Sequence, residues 1–150
     1  MRTMTTLLGL ATALAAPLAA QSVVGLQPLA FGAVLAGVPS TVPFTDPVRA
    51  GRFMIVGSPN QRVRLLFTLP ASLTGPGAPM PLTFGANSAG YATVNNPAAA
   101  TGFNARNASL RRLSNPGGQG WVFLGGTVLP AAGQAPGAYS NTVILTVLFL

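Results

Sequence analysis

The stretch Gln61-Arg62-Val63-Arg64-Leu65-Leu66-Phe67-Thr68-Leu69 alternates strictly enough to be read as a β-strand. Val63, Leu65, Phe67 and Leu69 fall on one face, and Arg62, Arg64 and Thr68 fall on the other with Leu66 among them. Successive side chains of a strand point to opposite faces, so this period of two marks a strand with one face buried. Its borders agree. Gly57-Ser58-Pro59-Asn60 before it is a turn, Pro70 ends it, and Arg52 to Val56 on the far side of the turn forms a second strand. Gly and Asn tolerate turn backbones and Pro cannot donate to a ladder, which is why they punctuate strands.

The same rhythm extends in both directions. Towards the N-terminus lies an apolar stretch, Val23 to Leu35, broken by Pro28 and Gly32. An extended loop with three prolines, Val38 to Pro47, follows it. Beyond Pro70 a Gly/Pro-rich loop reaches Pro81, and Leu82 to Phe84 and Tyr91 to Val94 read as short strands. Residues 95–108 read as a long surface loop, and Ser109 to Leu113 as an edge strand whose two arginines discourage aggregation. Trp121 to Leu129 is a strand interrupted by Gly125-Gly126, which predicts a bulge or a close backbone approach. A lone Trp in such a strand is expected in the core. After the loop 130–138 comes Asn141 to Leu150, apolar on both faces. Val143, Leu145, Val147 and Phe149 lie on one side of it, with Ile144, Leu148 and Leu150 on the other. A doubly apolar strand is expected at the centre of a sheet, covered on both sides and partnered on both edges.

Eighteen Gly and 14 Pro oppose a helical protein, and no sustained helical period is present. The predicted class is all-β: one antiparallel β-sandwich over residues 21–150. Residues 1–20 have the three parts of a signal peptide: Arg2, the apolar run Leu7 to Leu18, and the small pair Ala19-Ala20. The apolar run is too short to span a bilayer comfortably. Cleavage is expected after Ala20, with Ser22 as a rival position. The expected location is therefore outside the cytoplasm: periplasm, cell surface or medium, with no membrane-spanning segment once the signal is removed. A small outer-membrane barrel is disfavoured, because only Gln61 to Leu69 and the terminal stretch approach the length of a barrel strand.

Composition excludes most chemistry. The chain has no His or Cys and a single acid, Asp46, against eight basic residues, all Arg. Nucleophilic triads, paired-carboxylate hydrolysis and His/Cys/Asp/Glu metal sites all need residues that are missing. No enzyme, catalytic residue, metal site, cofactor or small-molecule substrate is expected. Asp46 precedes Pro47 and reads as a turn residue. The net charge is +7, but Arg49, Arg52, Arg62, Arg64, Arg106, Arg111 and Arg112 are spread thinly, so nucleic acid is not an expected partner. The sequon Asn107-Ala108-Ser109 reads as a chance occurrence.

Several stretches resemble known families. Leu29-Ala30-Phe31-Gly32 resembles a motif found early in spore-coat-U-like fimbrial subunits. Ala50-Gly51-Arg52-Phe53 with Val56-Gly57-Ser58-Pro59-Asn60 is similar to a secreted family, domain of unknown function forty-four oh two. Gly125 to Leu129, followed by Gln134, Gly137 and Tyr139, resembles the same family. The C-terminus resembles that of chaperone–usher pilins, with Phe149 next to last and Gly137 upstream of the final strand. This resemblance implies an immunoglobulin-like, pilin-like sandwich completed by a partner strand. The strand would come from a periplasmic chaperone and then from like subunits. It also implies that Gly137, Tyr139, Val143, Leu145, Val147 and Phe149 serve strand pairing and assembly, and that Val23, Val24 and Leu26 form a donor segment. Two departures stand beside it: there is no disulfide, and the extension Gln21 to Pro28 is short, which suits an accessory or capping subunit or a self-completed sandwich. The other functional class is a self-contained glycan- or envelope-polymer-binding module using the loops 70–81 and 95–108.

Overall fold

The computed structural model describes residues 20–150, so the export segment expected over residues 1–20 lies, Ala20 apart, outside the described residues. In chain order the strands are β1 (Ser22–Gln27), β2 (Ser40–Val42), β3 (Gly51–Val56) and β4 (Arg62–Thr68). Next come β5 (Ser72–Leu73), β6 (Met80–Thr83), β7 (Ala89–Ala92) and β8 (Thr101–Phe103). The last four are β9 (Ser109–Arg112), β10 (Gln119–Leu124), β11 (Gly126–Val128) and β12 (Ile144–Phe149). They form three antiparallel sheets, in the orders β1-β3-β10-β7-β8, β2-β11-β6-β5 and β12-β4-β9. The class is therefore all-β with a sandwich-like arrangement. Among the described residues, no helix is long and apolar enough to cross a membrane.

The sheets are joined at Gly125. β10 ends at Leu124 in the first sheet and β11 begins at Gly126 in the second, so one residue carries the chain between layers. There the backbone runs against the β2 strand and its exit. A Cβ on Gly125 would collide with the Val42 carbonyl and lie 2.6 Å from the Phe44 nitrogen. The glycine pair expected to mark a close backbone approach does so, and the approach is what allows one continuous apolar segment to serve two sheets.

The core lies between the layers. Ile55 of β3, Val63 and Leu65 of β4, Val122 and Leu124 of β10, and Val128 of β11 are almost wholly buried. They belong to one apolar cluster with Leu82, Phe84, Tyr91 and Phe103. Phe53 and Phe67 meet edge to face across the cluster, with centroids 5.9 Å apart. The β4 alternation is realised as read: Val63 and Leu65 are buried, and Arg62 and Arg64 are exposed.

Four expectations are corrected. The doubly covered strand is β10, not the C-terminal one. Val122 and Leu124 face the core, yet Phe123 on the opposite face is also buried. Beside it, Gly90 and Gly102 in the same cross-strand row leave room for the Phe44 ring, and the Arg52 guanidinium sits 6.0 Å from the Phe123 ring. β12, by contrast, is an edge strand paired with β4 alone, and Ile144 and Leu148 on its outer face are exposed. The loop 38–47 contains β2, and the loop 95–108 contains a 3-10 turn (Pro97–Ala99) and β8, burying Phe103 and Ala105. Trp121 is only half-buried, because it lies on the outer face of β10 opposite Met54 and Ala92.

Candidate strand-accepting cleft

β1 ends the five-stranded sheet and β12 ends the three-stranded one, and each has one edge without a partner among the described residues. A cleft of about 320 Å³ opens between residues 25–31, at the end of β1, and the segment Asn141 to Val143 that leads into β12. Phe53, Leu82 and Leu124 also line it, together with Leu26, Leu29, Phe31 and Leu73. No charged side chain is among the lining residues. The two side-chain amides there are already committed. Gln27 Nε2 donates to the Val48 and Ala50 carbonyls at 2.8 Å, and Asn141 Nδ2 donates to the Ser72 carbonyl at 2.8 Å. The cleft can therefore take apolar groups and has little with which to read a polar ligand.

The register of β12 fixes which of its backbone groups are free. The Leu150 N–H donates to the Arg62 carbonyl at 2.9 Å, and the pairing runs from Ile144 opposite Thr68 to Phe149 opposite Val63. N–H groups two residues apart point the same way in an antiparallel ladder. Ile144, Thr146 and Leu148 therefore bond inward to β4, while Leu145, Val147 and Phe149 present N–H and C=O groups to the open edge. The side chains of those three residues, with Val143, are half-buried and pack on the core cluster. Four of the six residues expected to serve strand pairing thus come together along one open edge.

The other two act elsewhere. Gly137 has φ +140°, and a Cβ there would lie 2.5 Å from Pro76 Cγ. The Tyr139 hydroxyl donates to the Ala135 carbonyl at 2.9 Å and accepts from Gln134 Nε2 at 2.9 Å. Its ring occupies the space in front of Gly75, where a Cβ would collide with it. Gly137 and Tyr139 lock residues 134–139 onto the loop Gly75 to Gly77 and lie outside any strand. Only indirectly, by fixing the approach to β12, do they bear on the cleft.

Val23, Val24 and Leu26, read as a donor segment, sit in β1 and are 37%, 43% and 48% exposed. Val23 pairs with Ile55 and Val24 with Met54, and the register slips between Gly25 and Gln27. The segment is thus engaged in the chain's own sheet, with Leu26 at the slip turning towards the cleft. The lining residues Phe53, Leu73, Leu82 and Leu124 come from four separate strands, and no local sequence signal brings them together.

Titratable groups lie away from the cleft. Asp46 accepts from the Val48 and Arg49 amides and from Arg49 Nε, each at 2.9 Å. Those bonds, the Arg49 amide foremost, hold its carboxyl below the usual carboxylate range and make it a turn anchor. Burial pushes the Tyr91 hydroxyl up to about 12, and it donates to the Arg112 carbonyl at 2.7 Å. Comparison with protein-family profiles, with curated proteins and with solved structures finds no match to this chain.

Proposed function

We propose that this chain is an exported structural or surface protein, a pilin-like or accessory subunit, that accepts an extended strand along the open edge of β12. The observation that carries the reading is the coincidence of two features at one place. The free backbone groups of Leu145, Val147 and Phe149 follow in the chain directly on Asn141 and Val143, which line one end of an apolar cleft. Strand addition uses such a pair: main-chain hydrogen bonds supply affinity, and alternate side chains fill pockets. The partners this suits are a periplasmic chaperone and like subunits, and the immunoglobulin-like description belongs to the same reading. Because β1 is engaged in its own sheet, accepting a strand is better supported than donating one, which favours an accessory or terminal subunit. The near absence of acids and the lack of His and Cys support a role without catalysis.

The test is to export the chain to a bacterial periplasm and run it unheated on an SDS gel, alone and with its co-purifying partners. A band of higher mass that collapses on boiling, and is missing for Val147→Asp with Phe149→Asp, supports strand acceptance. A folded monomer with no heat-sensitive partner, unchanged by those substitutions, overturns it.

A further inference from the structure

The outer face of the β12-β4-β9 sheet is both basic and apolar, and the register shows how the two are mixed. Arg62 stands opposite Arg112, and Arg64 stands between Leu110 on one side and Leu148 on the other. All five are exposed, as is Ile144 further along. Neighbouring strands are about 4.8 Å apart and alternate residues on one strand about 6.7 Å apart, so the three arginines stem from backbone positions within about 10 Å of one another. Like charges in one cross-strand pair are destabilising. No acidic side chain is free to offset them: the chain's single one, Asp46, is bound to Arg49 at 2.9 Å. Arg112 makes only long contacts, 3.3 and 3.4 Å, to Asn60.

We infer that this face docks on a lipid leaflet carrying anionic headgroups. Charge complementarity demands an anion, and the interleaved leucines choose the source. A soluble polyanion would engage Arg62, Arg64 and Arg112 but leave Leu110 and Leu148 in water, roughly half exposed as they are now, at 52% and 47%. A leaflet takes both, because its phosphates meet the guanidinium groups while leucine side chains enter the boundary just below. The register places all of them on one face of the sheet. This contact uses the outer face of β12 and is separate from the edge groups that would hold an added strand, so the two roles can coexist.

The experiment is cosedimentation of the purified chain with vesicles of phosphatidylcholine, alone or mixed with phosphatidylglycerol, at low and high salt. Binding is expected only to the mixed vesicles and is expected to weaken with salt. Arg62→Gln, Arg64→Gln and Arg112→Gln should each lower the partition coefficient about fivefold, while Arg49→Gln, which removes the same charge elsewhere, should not. Leu110→Ser with Leu148→Ser should lower vesicle binding yet leave retention on a polyphosphate column unchanged. Val147→Pro, aimed at the edge, should leave vesicle binding intact whatever it does to assembly. Equal binding to both vesicle types, no binding to either, or vesicle binding indifferent to the leucine substitutions would overturn the inference, the last pointing to a soluble polyanion.

Discussion

Substituting proline at two adjacent positions of β12 separates a free edge from a paired one. At Val147 the N–H points away from β4, so Val147→Pro removes a donor that bonds to nothing among the described residues. Proline's fixed φ near −65° is tolerated on an edge strand whose N–H faces solvent. Its ring replaces a half-buried apolar side chain of similar bulk. The expected cost is small, within about 1 kcal/mol. At Thr146 the N–H points at the Leu66 carbonyl of β4, its register partner. Thr146→Pro deletes that bond, leaves a half-buried carbonyl unpaired, and presses the proline ring against β4. Loss of the acceptor's partner alone costs about 1–3 kcal/mol. Urea unfolding followed by tryptophan fluorescence should therefore place Thr146→Pro well below the parent and Val147→Pro close to it. On the unheated gel the order reverses: Val147→Pro should abolish the heat-sensitive complex, because it takes the central donor from the accepting edge. Equal destabilisation by both prolines would refute the register argument. A stable Val147→Pro that still forms the complex would refute strand acceptance at this edge.

Three further outcomes follow from the packing. Gly125→Ala should cost about 3 kcal/mol or more, since the atoms it meets are backbone of the β2 segment and cannot rotate away. Gly126→Ala meets the Phe84 ring at 3.2 Å and should cost less, which paired urea titrations would resolve. Leu65→Ala, at a site 1% exposed in the core, should lower stability by about 2–5 kcal/mol in the same assay. The Tyr91 hydroxyl ionises near 10 in the unfolded chain and near 12 in the fold, so its contribution is complete below pH 10 and is lost as pH rises towards 12. Unfolding midpoints compared between the parent and Tyr91→Phe should converge across that alkaline window, and parallel curves would count against the burial argument.

Local signals are legible where one face of a strand is buried and the other wet. β4 and β3 were legible because alternation and turn residues agree, and the edge position of Ser109 to Leu113 was legible because arginines stood where a neighbouring strand would not. The strands β2 and β8 are not legible in the sequence, for a physical reason. Each is three residues long, too short for a period to show, and forms because β11 or β7 offers a ladder. The exchange of roles between β10 and β12 has a similar cause. Apolar residues on both faces say that both would gain from cover, but cover depends on glycines elsewhere, at 90 and 102, that admit Phe44 over β10. Nothing of the kind lies over Ile144 and Leu148. For the site, the C-terminal residues facing the core were legible from their spacing, whereas Gly137 and Tyr139 were misplaced because their partner, the loop at 75–77, is remote in sequence.

How the chain treats its sheet edges supports the strand-accepting reading independently. An unpaired edge invites pairing with other chains, and proteins blunt it with short strands, charges, prolines or bulges. Among the described residues, β2, β5 and β8 are edges of two or three residues. β9 carries Arg111 and Arg112. β1 slips in register between Gly25 and Gln27 and stops at Pro28. β12 has none of these protections. It is six residues long, Ile-Leu-Thr-Val-Leu-Phe, without charge, proline or register shift. Every other edge is guarded, and the one left open follows in the chain directly on Val143, at one end of the apolar cleft. A chain selected to remain alone would gain by placing a proline at Val147 at little cost to its own ladder. That it keeps this edge long, regular and apolar is what an edge destined for a partner strand requires.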